Sequence, residues 1–286
     1  MDPHLIAIML GLFSAVTLAA ANVAVKMGTD ILVGRAVLSA SAAVLILPFA
    51  LLVPVPDART WGALLIAMPA HFFYQTCLVG AMSRGDLSLV FPVMRGTAPL
   101  LSAAAAFLLL GEILAPLAVL GLVIATAAVI AFALPPREAT WARHPNAAAL
   151  GWALATAVGV ALYNVADARG VRLAPQPTTY IVWLFLVDWI FITLAALIFR
   201  RRELAGVIHA KWRYGVAAGA LSIFSFGAAL YAFSLMEVAK VSALRETSVV
   251  FAALLGTRIL GEGFGRRRLI AAIILAAGLV LMQFAR

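Results

Sequence analysis

Charge is what this sequence has least of: Asp, Glu, Lys and Arg make up 12% of its 286 residues, about half the ~25% of an ordinary soluble domain. With 65% of the residues hydrophobic, so few charges cannot clothe a surface in water, and a soluble fold is excluded. Cysteine is almost missing. The one thiol, Cys77, leaves no internal disulfide and no cysteine-built metal cluster, and reads as a small apolar filler. The four histidines, His4, His71, His144 and His209, contain no pair at metal-ligand spacing, so neither a metal nor a cofactor is expected. No Gly-Lys-Ser/Thr phosphate loop occurs, which removes a nucleotide-driven motor within the chain. Long polar stretches are scarce, leaving no room for a soluble catalytic or nucleic-acid-binding domain. The formal charge of +9 belongs to the loops of a membrane protein before it belongs to any nucleic acid.

What is present is apolar helix. Ten stretches of roughly 18 to 24 residues are predicted, each long enough to cross a ~30 Å hydrocarbon core. They lie at about 5–26, 32–53, 61–82, 87–110, 114–134, 147–168, 178–199, 214–235, 240–260 and 268–285. The first, opening Met1-Asp2-Pro3-His4, lacks the basic leader of a secretory signal and is read as a retained helix.

The chain also repeats itself. Met94-Arg95-Gly96-Thr97 aligns with Leu244-Arg245-Glu246-Thr247, and Gly111-Glu112 with Gly261-Glu262, at one offset of 150 residues. Asn22-Val23-Ala24 recurs as Asn164-Val165-Ala166, with Gly28 and Gly170 following at matching distance. Two copies are therefore expected, at 1–134 and 147–286, joined by a polar linker at 135–146 that opens with Pro135-Pro136. Five spans per copy is an odd number, so the second copy enters from the side where the first ended. The expected fold is an all-α membrane protein of ten transmembrane helices arranged as two inverted five-helix repeats, a construction that recurs in secondary transporters.

The run Ala239-Lys240-Val241-Ser242-Ala243-Leu244-Arg245-Glu246-Thr247-Ser248, continuing to Gly261-Glu262 and the Gly278-containing last helix, and its echoes at Pro99, Gly111-Glu112 and Gly121, resemble the EamA-type ten-helix members of the drug/metabolite transporter superfamily. The resemblance covers nearly the whole chain and implies transport of a small solute by alternating access. The Arg-Gly-Thr-Ala-Pro run at 95–99, with Arg-Glu-Thr-Ser at 245–248, is similar to a subgroup associated with phosphonate metabolism, and amino-acid exporters belong to the same superfamily. The family expectation puts both termini in the cytoplasm. Loop charge points the other way: thirteen basic residues fall on the opposite side and five on the side of the termini, which the positive-inside rule reads as outside.

Ionisable groups inside a span are costly unless paired or wet, and so become site candidates. Arg95 and Arg245 lie at equivalent mid-span positions. Their guanidinium forks suit a carboxylate or phosphonate, set against internal neutralisation by Glu246 or Asp188. Asp188 and Glu246 are candidates for coupling or for charge pairing. Asn22 and Asn164 sit at equivalent positions and either meet a ligand or bond across helices. Tyr74, Gln75 and Tyr163 are candidates for lining an aqueous cavity, in a third span that also carries His71 and Thr76. Glu112 and Glu262, each after a glycine, are expected to serve helix ends and loops.

The expected function is secondary transport of a small anionic or zwitterionic metabolite, in the direction of export, in a bacterial inner membrane. The partners are a small-molecule solute and membrane lipids, with no nucleic acid; small-residue faces allow a homodimer, although one chain suffices. The rival readings are an integral membrane enzyme acting on a lipid-linked substrate and a lipid scramblase. Paired mid-depth arginines fit a central solute site better than an interfacial active site.

Overall fold

Continuous apolar sequence with few internal breakers folds here into helix alone. The computed structural model describes residues 2–26, 30–84, 87–133, 147–251 and 266–285, with 22–26, 87–89, 91, 92, 207, 209–211, 267 and 268 described by backbone only. The elements are α1 (Pro3–Lys26), α2 (Ile31–Ile46), α3 (Ala58–Met82), α4 (Leu87–Leu110), α5 (Pro116–Ala133), α6 (Ala147–Leu173), α7 (Pro177–Phe199), α8 (Arg201–Phe233), α9 (Val238–Arg245) and α10 (Arg266–Phe284). No strand occurs among the described residues. Among the described residues, seven helices are long and apolar enough to cross a membrane, and Pro116–Ala131 and Leu269–Phe284 are shorter apolar helices. The protein is an integral membrane protein.

Helix ends follow local chemistry. Asp30 and Asp57 cap α2 and α3 by accepting from the Val33 and Thr60 amides. The expected second span ends early as an α-helix because Pro48 lacks an amide hydrogen, and Leu47–Leu51 continues as a tighter 3-10 turn. The expected sixth span runs five residues further, to Leu173, stopping just before Pro175. The expected eighth span begins thirteen residues earlier, at Arg201, so residues counted as a basic loop are helical. Arg35 lies in the second turn of α2 with its guanidinium 5.6 Å from the centre of the Tyr74 ring.

Packing pairs the halves crosswise. α3 lies along α6 and α1 along α8; α4 also meets α6, and α9 meets α1; α2 contacts α7 and α8, and α5 lies along α10. Small residues permit the closest approaches. A Cβ on Gly121 of α5 would fall 2.6 Å from the Gly278 carbonyl oxygen of α10, and one on Gly278 would fall 2.8 Å from the Gly121 oxygen. The two backbones touch where they cross. A Cβ on Gly159 would likewise meet the Tyr74 backbone at 2.8 Å, which seats α3 against α6 at the level of the candidate site.

Candidate functional site

Two polar clusters lie inside this helical packing, one rich in arginine and one in acid. In the first, Arg95 comes from α4, Arg245 from the end of α9, and Glu246 follows at once. Arg95 Nη1 stands 3.4 Å from Glu246 Oε1. Arg245 donates from Nε to Ser14 Oγ at 3.1 Å, and its guanidinium lies 5.3 Å from the centre of the Phe226 ring. Ser225 Oγ donates to the Ser14 carbonyl oxygen, so α1 and α8 together hold the arginine. Arg245 and Glu246 are 7% and 3% exposed, and Glu246 Oε2 has no hydrogen-bond partner among the described residues. Among the described residues, this cluster sets two guanidiniums against one carboxylate, a formal charge of one positive.

The backbone breaks at this point. After Arg245, Glu246 N bonds to Ala243 O and Thr247 N to Leu244 O, each three residues back, and helix resumes at 248–251. Thr247 Oγ1 also donates to Leu244 O at 2.7 Å, a local bond that competes with the regular helical ladder. The equivalent Arg95-Gly96 lies in unbroken α4, where a Cβ on Gly96 would collide with Ile130. The two positions that the sequence aligns therefore differ in shape and charge.

In the second cluster His71 of α3 stands between two carboxylates. Its Nε2 is 2.8 Å from Asp167 Oδ2, and its Nδ1 is 3.6 Å from Asp188 Oδ1. Tyr180 donates to the other Asp167 oxygen at 2.9 Å. Gln75 donates from Nε2 to Asp188 Oδ2 at 3.4 Å, and its own Oε1 is unpartnered among the described residues. The Asp167 side chain is fully buried, whereas that of Asp188 is 20% exposed. Asp167 is thus a fixed anchor and Asp188 the accessible carboxylate. Arg35 is the cation facing this group; two carboxylates outnumber it unless His71 carries a second proton.

Aromatic rings join the clusters. His71 stacks on Tyr163 at 4.7 Å between ring centres, and Tyr74 meets Tyr163 edge-on at 5.0 Å. The Phe226 ring lies 5.5 Å from His71 on one side and holds Arg245 on another. Opposite charges therefore flank one small aromatic wall.

Of the residues singled out in the sequence, Arg95, Arg245, Glu246, Tyr74, Gln75, Tyr163 and Asp188 come together in these two clusters. Asn164 is placed otherwise: its Nδ2 lies 3.1 Å from Ser102 Oγ and 3.5 Å from Ser242 Oγ, and it ties α6 to α4 and α9. The Asn22 side chain, Glu262 and the linker at 135–146 lie outside the described residues. Asp167 escaped notice because the sixth span was drawn to end at 168, which put it at the membrane boundary; the helix runs five residues further, to Leu173, and Asp167 is buried. It stands where the first copy has Val25, and an unmatched carboxylate in a repeated helix is the signal that finds it.

Glu112 does what a residue at a helix end is expected to do, and more. Gly111 adopts φ +69°, a left-handed turn that glycine takes without strain. The turn carries Glu112 to Arg172, whose Nη1 lies 2.6 Å from Glu112 Oε1. Arg172 also donates to the Phe233 and Met236 carbonyl oxygens, and Glu112 Oε2 accepts from the Val238 amide. One ion pair thus clasps the ends of α4, α6 and α8 and the start of α9.

Residues 147–284 match the model of the EamA-like transporter family. No curated protein matches. Among solved structures 29 chains are similar; one, described only as the crystal structure of a protein, covers 98% of this chain and 96% of its own at a TM-score of 0.74 and 20% identity. That likeness is one of fold, over nearly the whole length of both chains.

Proposed function

Residues 147–284 belong to the EamA-like transporter family, and from that premise we propose that the whole chain carries a small zwitterionic metabolite, amino-acid-like or aminophosphonate-like, outward across a bacterial inner membrane. The observation that carries this reading is the pair of oppositely charged clusters on either side of Phe226. The spare positive charge at Arg245 and Arg95 receives a carboxylate or phosphonate. The spare negative charge at Asp188 receives an ammonium group, with Gln75 beside it. A simple anion would use only one of these, and a zwitterion uses both.

Alternating access follows from two related five-helix halves with spans four and nine at the centre. The crosswise packing of α3 on α6 and α1 on α8 supports an inverted repeat, and the break at Glu246-Thr247 supplies the discontinuous helix often found at carrier sites. The Glu112–Arg172 clasp would close the pathway on the side of the termini.

The test is exchange. Proteoliposomes loaded with a labelled mixture of amino acids and aminomethylphosphonate are challenged with external solutes, for the parent protein and for Arg245→Ala and Asp188→Asn. Saturable exchange of a zwitterion, lost in both variants while both remain folded, supports the reading. Exchange of simple carboxylates with Asp188→Asn unaffected would reduce the substrate to an anion, and absence of any exchange would remove the carrier.

A further inference from the structure

The His71 cluster contains more acceptor than donor. Asp167 accepts from Tyr180 and from His71 Nε2, which assigns the Nε2 proton and fixes the imidazole tautomer. In a neutral ring with that tautomer, Nδ1 would turn a lone pair toward Asp188 Oδ1 at 3.6 Å, lone pair facing lone pair. A second proton, on Nδ1 or on the carboxyl, removes the conflict. The separation exceeds a direct hydrogen bond, and Asp188 is the part-exposed member, so the edge between them is open to a competitor.

Among the described residues, the charged and titratable neighbours are these. From α6 come Asp167 and the stacked Tyr163, from α7 Asp188 and Tyr180, from α2 Arg35, and α3 itself supplies Tyr74. α8 contributes the Phe226 ring, and on another side of that ring stands Arg245 of α9 with its own cluster. Two carboxylates face one guanidinium, so the cluster accommodates one additional positive charge. A proton satisfies that requirement, and so does the ammonium group of a zwitterion, but both together would set cation against cation.

We propose that the His71–Asp188 edge is a proton-binding site emptied by the substrate's ammonium group, so that each zwitterion moves in exchange for one proton. The ammonium nitrogen binds Asp188, and the displaced proton leaves to water on the side then open. After the substrate departs on the other side, water there returns a proton to Nδ1 or the carboxylate. His71 and Asp188 share the proton, and Asp167 is the positioning residue that holds the imidazole. The inference rests on the zwitterion reading above, and its tests separate the two.

The first test needs no substrate. In the purified full-length protein, nitrogen-15 spectra of labelled histidine report a proton on Nδ1, and an infrared band lost in Asp188→Asn reports a protonated carboxyl. One of the two is expected at neutral pH; finding neither overturns the proton site, whether or not any solute is transported. The second uses the proteoliposomes and the solute that exchanges, with the membrane potential clamped. A one-unit pH difference is expected to drive accumulation about tenfold in the parent. In His71→Gln, the accumulation driven by the pH difference is expected to fall severalfold relative to the counterflow that remains; an unchanged ratio would overturn the part given to His71. Counterflow indifferent to the pH difference in the parent would overturn the proton exchange and leave the zwitterion reading standing. Loss of all zwitterion exchange would remove that reading and the exchange built on it.

Discussion

At the scale of the residue, the buried charges set the strongest constraints. Glu246 is the carboxylate facing Arg95, and removing one partner of a buried pair leaves the other uncompensated, at a cost of about 3–5 kcal/mol. Glu246→Ala is therefore expected to lower the thermal unfolding temperature in detergent well below that of a surface control such as Glu203→Ala. Outside the membrane, the Thr60 hydroxyl and then the Thr60 amide hold the Asp57 carboxyl below its usual range. A lowered folded-state value means the cap stabilises above the unfolded carboxyl range and is lost as pH falls through the folded value. Hydrogen exchange at the Thr60 amide is expected to lose its protection over that acid range in the parent, and to be unprotected throughout in Asp57→Ala. The arginines and Asp188 were legible because any charge in an apolar run stands out. Their partners were not: His71 and Asp167 are 96 residues apart, and no local pattern joins them.

At the scale of the element, apolar length placed the end of α4 at Gly111 but overran Pro48 and stopped short of Pro175, missing the ends of α2 and α6 by seven and five residues. It failed at α8, whose first turns are charged and carry no membrane signal, and at α9. The expected span at 240–260 runs as one helix straight through the polar Arg245-Glu246-Thr247-Ser248 stretch, and the break there arises from the Thr247 hydroxyl and the tight amide bonds at Glu246 and Thr247. Gly111 offers a direct test. Gly111→Val forces a branched side chain into a left-handed backbone, at about 1–2 kcal/mol, and swings Glu112 away from Arg172. A drop in thermal stability is expected, together with faster proteolysis of the segment joining α8 to α9.

At the scale of the whole molecule, the Glu112–Arg172 clasp and the α5–α10 crossing have different duties. A cysteine at Ser234 is expected to react with a membrane-impermeant thiol reagent severalfold faster when Arg172→Met is also present, because four helix ends then part. No change in that rate would show the clasp to be a surface ornament of the fold. Gly121→Leu or Gly278→Leu is expected to prevent folding to the parent structure, read as loss of the monodisperse peak on size exclusion, since the obstruction is backbone and not a side chain that can rotate away. Two helices meeting backbone to backbone at one level have no interdigitated side chains to slide past each other, and they can rock about that level while its position stays put. The crossing is in that sense a fulcrum with two lever arms: spin labels placed beside Gly121 and Gly278 should keep one separation through a transport cycle, while labels near Glu112 and Arg172 should alternate between two.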